Sequence, residues 1–141
     1  MTSILLILKP LLTISRSSMM VKIDTREKLH VITIHEDCLA ANMTEQMDKV
    51  ILTLLEDNVK NVVLNMKDIK KVDSAAADHL VKLHDTFYDS KASFVICGLQ
   101  TDIRKQLEHS GVLEKLNYTP TESEAMDMVQ MEEIEREFGE F

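Results

Sequence analysis

Asp73-Ser74, followed by Ala75, Ala76 and Ala77, is the stretch of this sequence whose residue types are best suited to chemistry. A hydroxyl at the start of a helix meets free backbone amides and the positive end of the helix dipole, which would stabilise a phosphate added to it. The alanines leave room for another protein's surface to approach. The same residues also fit a plainer role, in which Asp73 or Ser74 caps the helix and the alanines pack closely on a sheet. Spacing alone favours that role. Asp68 and Asp73 have the residue types of an acid and base pair, but Lys67, Lys70 and Lys71 flank them, and turn and cap roles fit better. His79 and His84 are five residues apart, about 140° around a helix, so a shared metal is not expected. Cys38 and Cys97 belong to no CxxC or Cys/His cluster, which predicts two free thiols in a reducing cytoplasm. With no nucleophile-base-orienter order, Gly-rich phosphate loop or Walker pattern, neither catalysis nor a cofactor or metal is expected.

The elements that must position Ser74 follow from periodicity. Val62-Val63-Leu64 is apolar without alternation, as in a parallel strand covered on both faces. The polar connection Asn65 to Val72 leads from it into a helix over Asp73 to Tyr88, with Ala76, Leu80, Leu83 and Phe87 on one stripe. Upstream, Val21 to His35 reads as a β-hairpin around the charged stretch Asp24 to Lys28. Asn42-Met43-Thr44-Glu45 has the form of a capping box, opening a helix with Met43, Met47, Val50, Ile51, Leu54 and Leu55 inward. Downstream, Ser93 to Cys97 reads as a second buried strand ended by Gly98. Thr101 is expected to cap a short helix that stops at Gly111. Leu116-Asn117-Tyr118 reads as a brief edge strand, and Thr121-Glu122-Ser123-Glu124 as a capping box for a terminal helix with Ala125, Met128, Val129 and Met131 inward. The resulting order, ββαβαβα(β)α, predicts an α/β fold with parallel pairing and right-handed crossovers.

A chain of 141 residues has room for one domain. It lacks Trp and holds only six other aromatics against nine Met, so its core must be aliphatic and thioether-rich. A net charge of −8 without a local Lys/Arg cluster opposes direct contact with nucleic acid. The apolar run Ile4 to Leu8 with Leu11-Leu12, broken by Lys9-Pro10, is too short to span a bilayer and lacks the charge order of a secretory signal. Residues 1–19 are therefore expected to be a leader, either disordered or upstream of a true start at Met19-Met20. The domain proper is expected over 20–130, and residues 131–141 as an acidic helix end or tail.

The run VVLNMKDIKKVDSAAADHL, Val62 to Leu80, resembles the central motif of the STAS domain of bacterial anti-sigma factor antagonists: a strand, an Asp, an apolar-rich loop, then Asp-Ser-Ser-Gly opening a helix. The likeness continues through Phe94 to Gly98, through Ile103-Arg104-Lys105-Gln106-Leu107, and into Ser110-Gly111-Val112. It covers roughly Val21 to Val129. The resemblance implies a small mixed sheet of four or five strands, with about four helices packed mainly on one face. It also implies a protein-binding switch rather than an enzyme. The partner would be an anti-sigma factor that is also a serine kinase with a histidine-kinase-like ATPase fold, and Ser74 would be the phosphate acceptor. The docking face would draw on Asp37, Asp68, Asp73, Ser74, Ala75 and Ala76, from the His35 to Ala41 loop, the Asp68 to Ser74 loop and the start of the second helix. Ala75-Ala76 replaces the motif's Ser-Gly, and His35-Glu36-Asp37-Cys38 stands in place of its Gly-x-Leu-Asp, with Asp37 as the loop aspartate. An alternative is a non-phosphorylated scaffold subunit resembling the cytoplasmic component of lipid-transport ABC systems.

Overall fold

Apolar residues on both faces of three short parallel strands force this chain to cover its sheet from two sides. The computed structural model describes residues 2–8 and 19–138. In chain order its strands and helices are β1 (Thr2–Leu8), β2 (Met19–Thr25), β3 (Leu29–Ile34), β4 (Cys38–Leu39), α1 (Thr44–Ile51), β5 (Asn61–Asn65), β6 (Lys71–Val72), α2 (Ser74–Asp89), β7 (Phe94–Cys97), α3 (Thr101–His109), β8 (Asn117–Thr119) and α4 (Glu122–Glu137). The main sheet runs β1-β2-β3-β5-β7-β8. β1, β2 and β3 pair antiparallel, and β3, β5, β7 and β8 pair parallel.

The hairpin expected between Val21 and Ile34 is β2–β3, registered Val21 to Ile34 and Ile23 to Ile32. β2 buries Met19, Val21 and Ile23 and exposes Met20 and Lys22, the period-2 alternation of a strand covered on one side. β3, β5 and β7 are buried at every position. Alternate residues go to opposite cores. Ile32, Ile34, Val62, Leu64, Phe94 and Ile96 face a large core under α1, α2 and α3. Val31, Val63, Val95 and Cys97 meet Ala125 and Val129 of α4 on the other side. Three helices thus share one face and α4 has the other to itself. Among the described residues no helix is long and apolar enough to cross a membrane.

Three expectations from spacing change in the structure. Periodicity places residues 1–19 outside the domain, whereas Thr2–Leu8 pairs along β2 from Thr2 opposite Thr25 to Leu8 opposite Met19. A β2 edge would otherwise present a row of unpaired amides and carbonyls, which a seven-residue partner satisfies. Residues 9–18, and with them Lys9-Pro10 and Leu11-Leu12, lie outside the described residues. Secondly, Asn42 does not cap α1. It sits inside a 3-10 turn, Ala41–Met43, that precedes the helix, and neither that turn nor α1 has a side-chain cap of its own. Thr101 likewise is the first residue of α3 rather than its cap, a position taken by Gln100. Thr121 does cap α4, its hydroxyl oxygen accepting from Glu124 N at 3.2 Å.

α4 is fastened at its far end by a polar cluster. Glu132 Oε1 accepts from Ser93 Oγ at 2.5 Å and from Tyr88 Oη at 2.7 Å. Arg136 donates to Ser93 Oγ at 2.9 Å and to Asn61 Oδ1 at 3.3 Å. Burial, and then the neighbouring Glu132, push the Tyr88 phenol well above its usual range, so it acts as a fixed donor.

Gly98, at the turn out of β7, has φ +75°, and a Cβ there would lie 2.8 Å from Asn65 Oδ1, which caps the turn leaving β5. Gly111 has φ +81° but open space around it. Gly98→Ala is therefore expected to cost about 3 kcal/mol, a left-handed residue plus a clash, and Gly111→Ala about 1 kcal/mol. Urea denaturation of the two variants checks this, and equal losses would contradict it.

Candidate functional site

The loop that carries Ser74 is built from the end of β5 outward. Asn65 Oδ1 accepts from Lys67 N at 3.0 Å, turning the chain, while its Nδ2 donates to Glu122 Oε1 at 2.9 Å. Met66 and Ile69 are fully buried and peg the loop to the core. Their spacing leaves Lys67 and Lys70 outside. The chain then enters β6, which pairs parallel with β4, Cys38 to Lys71 and Leu39 to Val72. At its head the Asp37 carbonyl accepts from both Lys70 N, at 2.6 Å, and Lys71 N, at 3.2 Å. Asp37 thus joins the two loops through its backbone, and its side chain is exposed.

Asp73 follows in extended conformation, at φ −83° and ψ 167°, as the N-cap of α2. Its Oδ1 accepts from Ala76 N at 2.8 Å, and its Oδ2 accepts from Ala41 N at 2.9 Å. Asp73 N donates to Leu39 O at 3.1 Å, and Gln106 of α3 donates to Val72 O at 2.7 Å. One carboxylate therefore closes the start of α2 and the 3-10 turn before α1 together. Hydrogen bonds from Ala76 N and then Ala41 N hold its carboxyl below the usual aspartate value. The group stays ionised where ordinary carboxylates begin to protonate.

Ser74 is the first residue of α2 and is exposed. Its hydroxyl makes no hydrogen bond among the described residues. Ala75 is exposed beside it, whereas Ala76 is 0% exposed and packs in the larger core. Ala76 is thus a close-packing residue and not part of a surface, a difference set by helical phase. Asp68 lies on the other side of β6. His35 Nδ1 donates to Asp68 Oδ2 at 3.0 Å, linking the loop after β3 to the loop after β5. The two residues, with Asp37, Lys67, Lys70 and Gln100, line an open cleft of about 430 Å³. Gln100 Nε2 donates to Lys67 O at 2.9 Å. Both charge signs occur in the cleft, which suits a polar protein surface better than a single ion. His35, Gln100 and Gln106 are brought here by tertiary structure and carry no signal in local spacing.

Other groups stay apart. His79 pairs with Asp48 at 2.6 Å across α1 and α2, and His84 reaches Asn117 Oδ1 at 2.8 Å. Among the described residues no group of three or more His, Cys, Asp or Glu could hold a metal ion. Cys38 is exposed on β4. Burial, with Glu122 nearby, pushes the Cys97 thiol up to about 12, so it packs as an apolar residue.

The model of the STAS domain family matches residues 20–125. The chain belongs to the STAS domain family. Solved structures share the fold at low identity. An anti-sigma factor antagonist from Mycobacterium paratuberculosis is 12% identical, with a TM-score of 0.70 over 82% of this chain and 97% of the other. A STAS domain protein from Planctomyces limnophilus is 15% identical, with a TM-score of 0.67 over 78% and 97%. The phosphorylated form of SpoIIAA, a Bacillus cell fate determinant, is 18% identical, with a TM-score of 0.57 over 77% and 98%. The strand-loop-helix unit from Val62 to Leu80 lies wholly inside the matched segment of this STAS chain.

Because Asp73 accepts from two amides, its variants should rank. Asn keeps one acceptor oxygen, enough for Ala76 N, and loses the contact to Ala41 N; Ala loses both. The melting temperature is expected to fall from wild type to Asp73→Asn to Asp73→Ala. Its lowered pKa makes the contribution fully present above the unfolded-state value and lost as pH falls through the folded one. The gap between wild type and Asp73→Asn should therefore hold at neutral pH and narrow only at strongly acid pH. Melting curves across pH 2 to 7 check this, and a gap that ignores pH would count against it.

Proposed function

We propose that this STAS chain is an anti-sigma factor antagonist, a binding switch that docks on an anti-sigma factor with serine kinase activity and is regulated by phosphorylation at Ser74. The observation that carries the reading is the unpaired, exposed hydroxyl of Ser74 at the head of α2. A phosphoryl group transferred from ATP to Ser74 Oγ would leave ADP and would add a charge of about −1.5 to −2 at neutral pH. The helix start tolerates that charge. The Asp73 carboxylate next to it, already ionised and committed to two amides, does not move away. The docking face would thus turn strongly negative without unfolding, and a partner fitted to the unmodified face would face repulsion and desolvation cost. The partner's kinase is expected to have a histidine-kinase-like ATPase fold, and both proteins are expected in the cytoplasm. Asp37, Asp68, Asp73, Ser74 and Ala75 would line the docking face.

One feature of the residues favours a second reading. Ala75-Ala76 stands where the resemblance has Ser-Gly, which suits a scaffold subunit that holds an ATPase without being phosphorylated, as in a lipid-transport ABC system.

Incubation with candidate serine kinases and ATP, followed by phosphosite mapping by mass spectrometry, separates the two. The switch reading expects label at Ser74, none in Ser74→Ala, and at least tenfold weaker partner binding by Ser74→Asp. If wild type is never labelled and Ser74→Asp binds its partner unchanged, the scaffold reading stands.

A further inference from the structure

α4 is apolar on two opposite sides. Ala125 and Val129 are fully buried against the sheet, and Glu132 and Arg136 are tied beneath the helix to Ser93 and its neighbours. On the outer side Met131, which spacing places inward, is turned away from Ala125 and Val129 by the phase of the helix and is 62% exposed, with Ile134 46% and Phe138 72%. These three are large, exposed apolar side chains, Ile134 being half covered in a groove it shares with Arg26 to Leu29. Their spacing is three and then four residues, the a-d-a pattern of a helix seam. The positions flanking the seam on either side are Gln130, Glu135 and Glu137, all exposed.

Charge decides what can cover this ridge. α4 carries seven carboxylates, Glu122, Glu124, Asp127, Glu132, Glu133, Glu135 and Glu137, against the single cation Arg136. The Arg136 guanidinium is turned inward to Ser93 and Asn61 and is not offered to a partner. A second copy of this chain would set Glu135 and Glu137 against like charges along the same seam, and each copy carries a net −8. A helix whose apolar stripe is flanked by Lys and Arg meets no such opposition on the side of Glu124, Asp127 and Glu135, where, among the described residues, no cation lines the groove beside Met131, whereas Arg26 and Lys28 border Ile134 on the other side and set the edge on which its cations must lie. It would bury Met131, Ile134 and Phe138 while pairing with the glutamates at the rim.

We infer that the outer face of α4 is a second docking surface, which takes a basic amphipathic helix from another protein in coiled-coil-like packing. It lies on the opposite face of the sheet from α2, so it is independent of the proposed Ser74 site and both can be occupied at once.

The test uses the full chain and a synthetic three-heptad peptide with Leu at the seam positions and Lys beside them, followed by titration calorimetry and amide chemical-shift mapping. Wild type is expected to bind, with shifts centred on α4 and affinity falling as salt rises. The triple variant Met131→Ser, Ile134→Ser, Phe138→Ser changes no charge and only exposed positions; it should bind at least tenfold more weakly. A peptide with Glu in place of Lys should not bind, and Ser74→Asp should bind as wild type does. Equal binding by the triple variant would reduce the contact to non-specific attraction and overturn the proposal. So would shifts centred on α2, or a wild-type dimer in sedimentation equilibrium that Ile134→Ser dissolves.

Discussion

The Asp73 carboxylate is the joint on which the site depends. A helix start leaves backbone amides unsatisfied, and here two such starts, the beginning of α2 and the turn before α1, are closed by the two oxygens of one side chain. Neither the turn at Ala41–Met43 nor α1 has a cap of its own, so their placement relies on a residue more than thirty positions away. In return, the Ser74 hydroxyl is released from any capping duty. A serine that had to cap α2 would have its hydroxyl bound to an amide. With Asp73 in that role, Ser74 is positioned by the helix and engaged by nothing else.

Asp73 reaches both amides because the β4–β6 pair holds its loop against the loop after β3. That pair is only two residues long on each side. It is reinforced by the Asp37 carbonyl, the buried side chains of Met66 and Ile69, and the hydrogen bond from Gln106 to Val72. Beneath it, β3, β5 and β7 send alternate residues to two cores, which gives the sheet two distinct sides. The side with α1, α2 and α3 presents Ser74. The side with α4 presents an acidic helix whose outer ridge is apolar.

Much of this architecture is legible in the sequence because its causes are local. The unbroken apolar runs at Val62 to Leu64 and Phe94 to Cys97 require burial on both faces, and the stripe Ala76, Leu80, Leu83 and Phe87 fixes which way α2 turns. Thr121 caps α4 through its own neighbour Glu124, as its spacing indicates. The errors arise where partners are distant. Asn42 and Glu45 have the right spacing for a box, but Asn42 lies inside the turn Ala41–Met43, and that turn starts on an Ala41 amide that donates to Asp73. Strands of two residues have no periodicity to detect, so β4 and β6 are invisible before the fold is known. His35 and Asp68 meet across thirty-three positions. Ala75 and Ala76 are identical residues in adjacent positions, and only the phase of α2 against the core makes one a surface and the other a packing contact.

The most direct test of the Asp73 joint is a pH titration of the ¹⁵N-labelled chain, following the amide resonances of Ala41 and Ala76. If one carboxylate accepts from both, the two amides lie far downfield and titrate together, with a single shared midpoint below that of an ordinary aspartate. Asp73→Asn removes that transition from both. Separate midpoints, or an Ala41 amide that is indifferent to pH and to Asp73→Asn, would show that the two helix starts are not joined through Asp73.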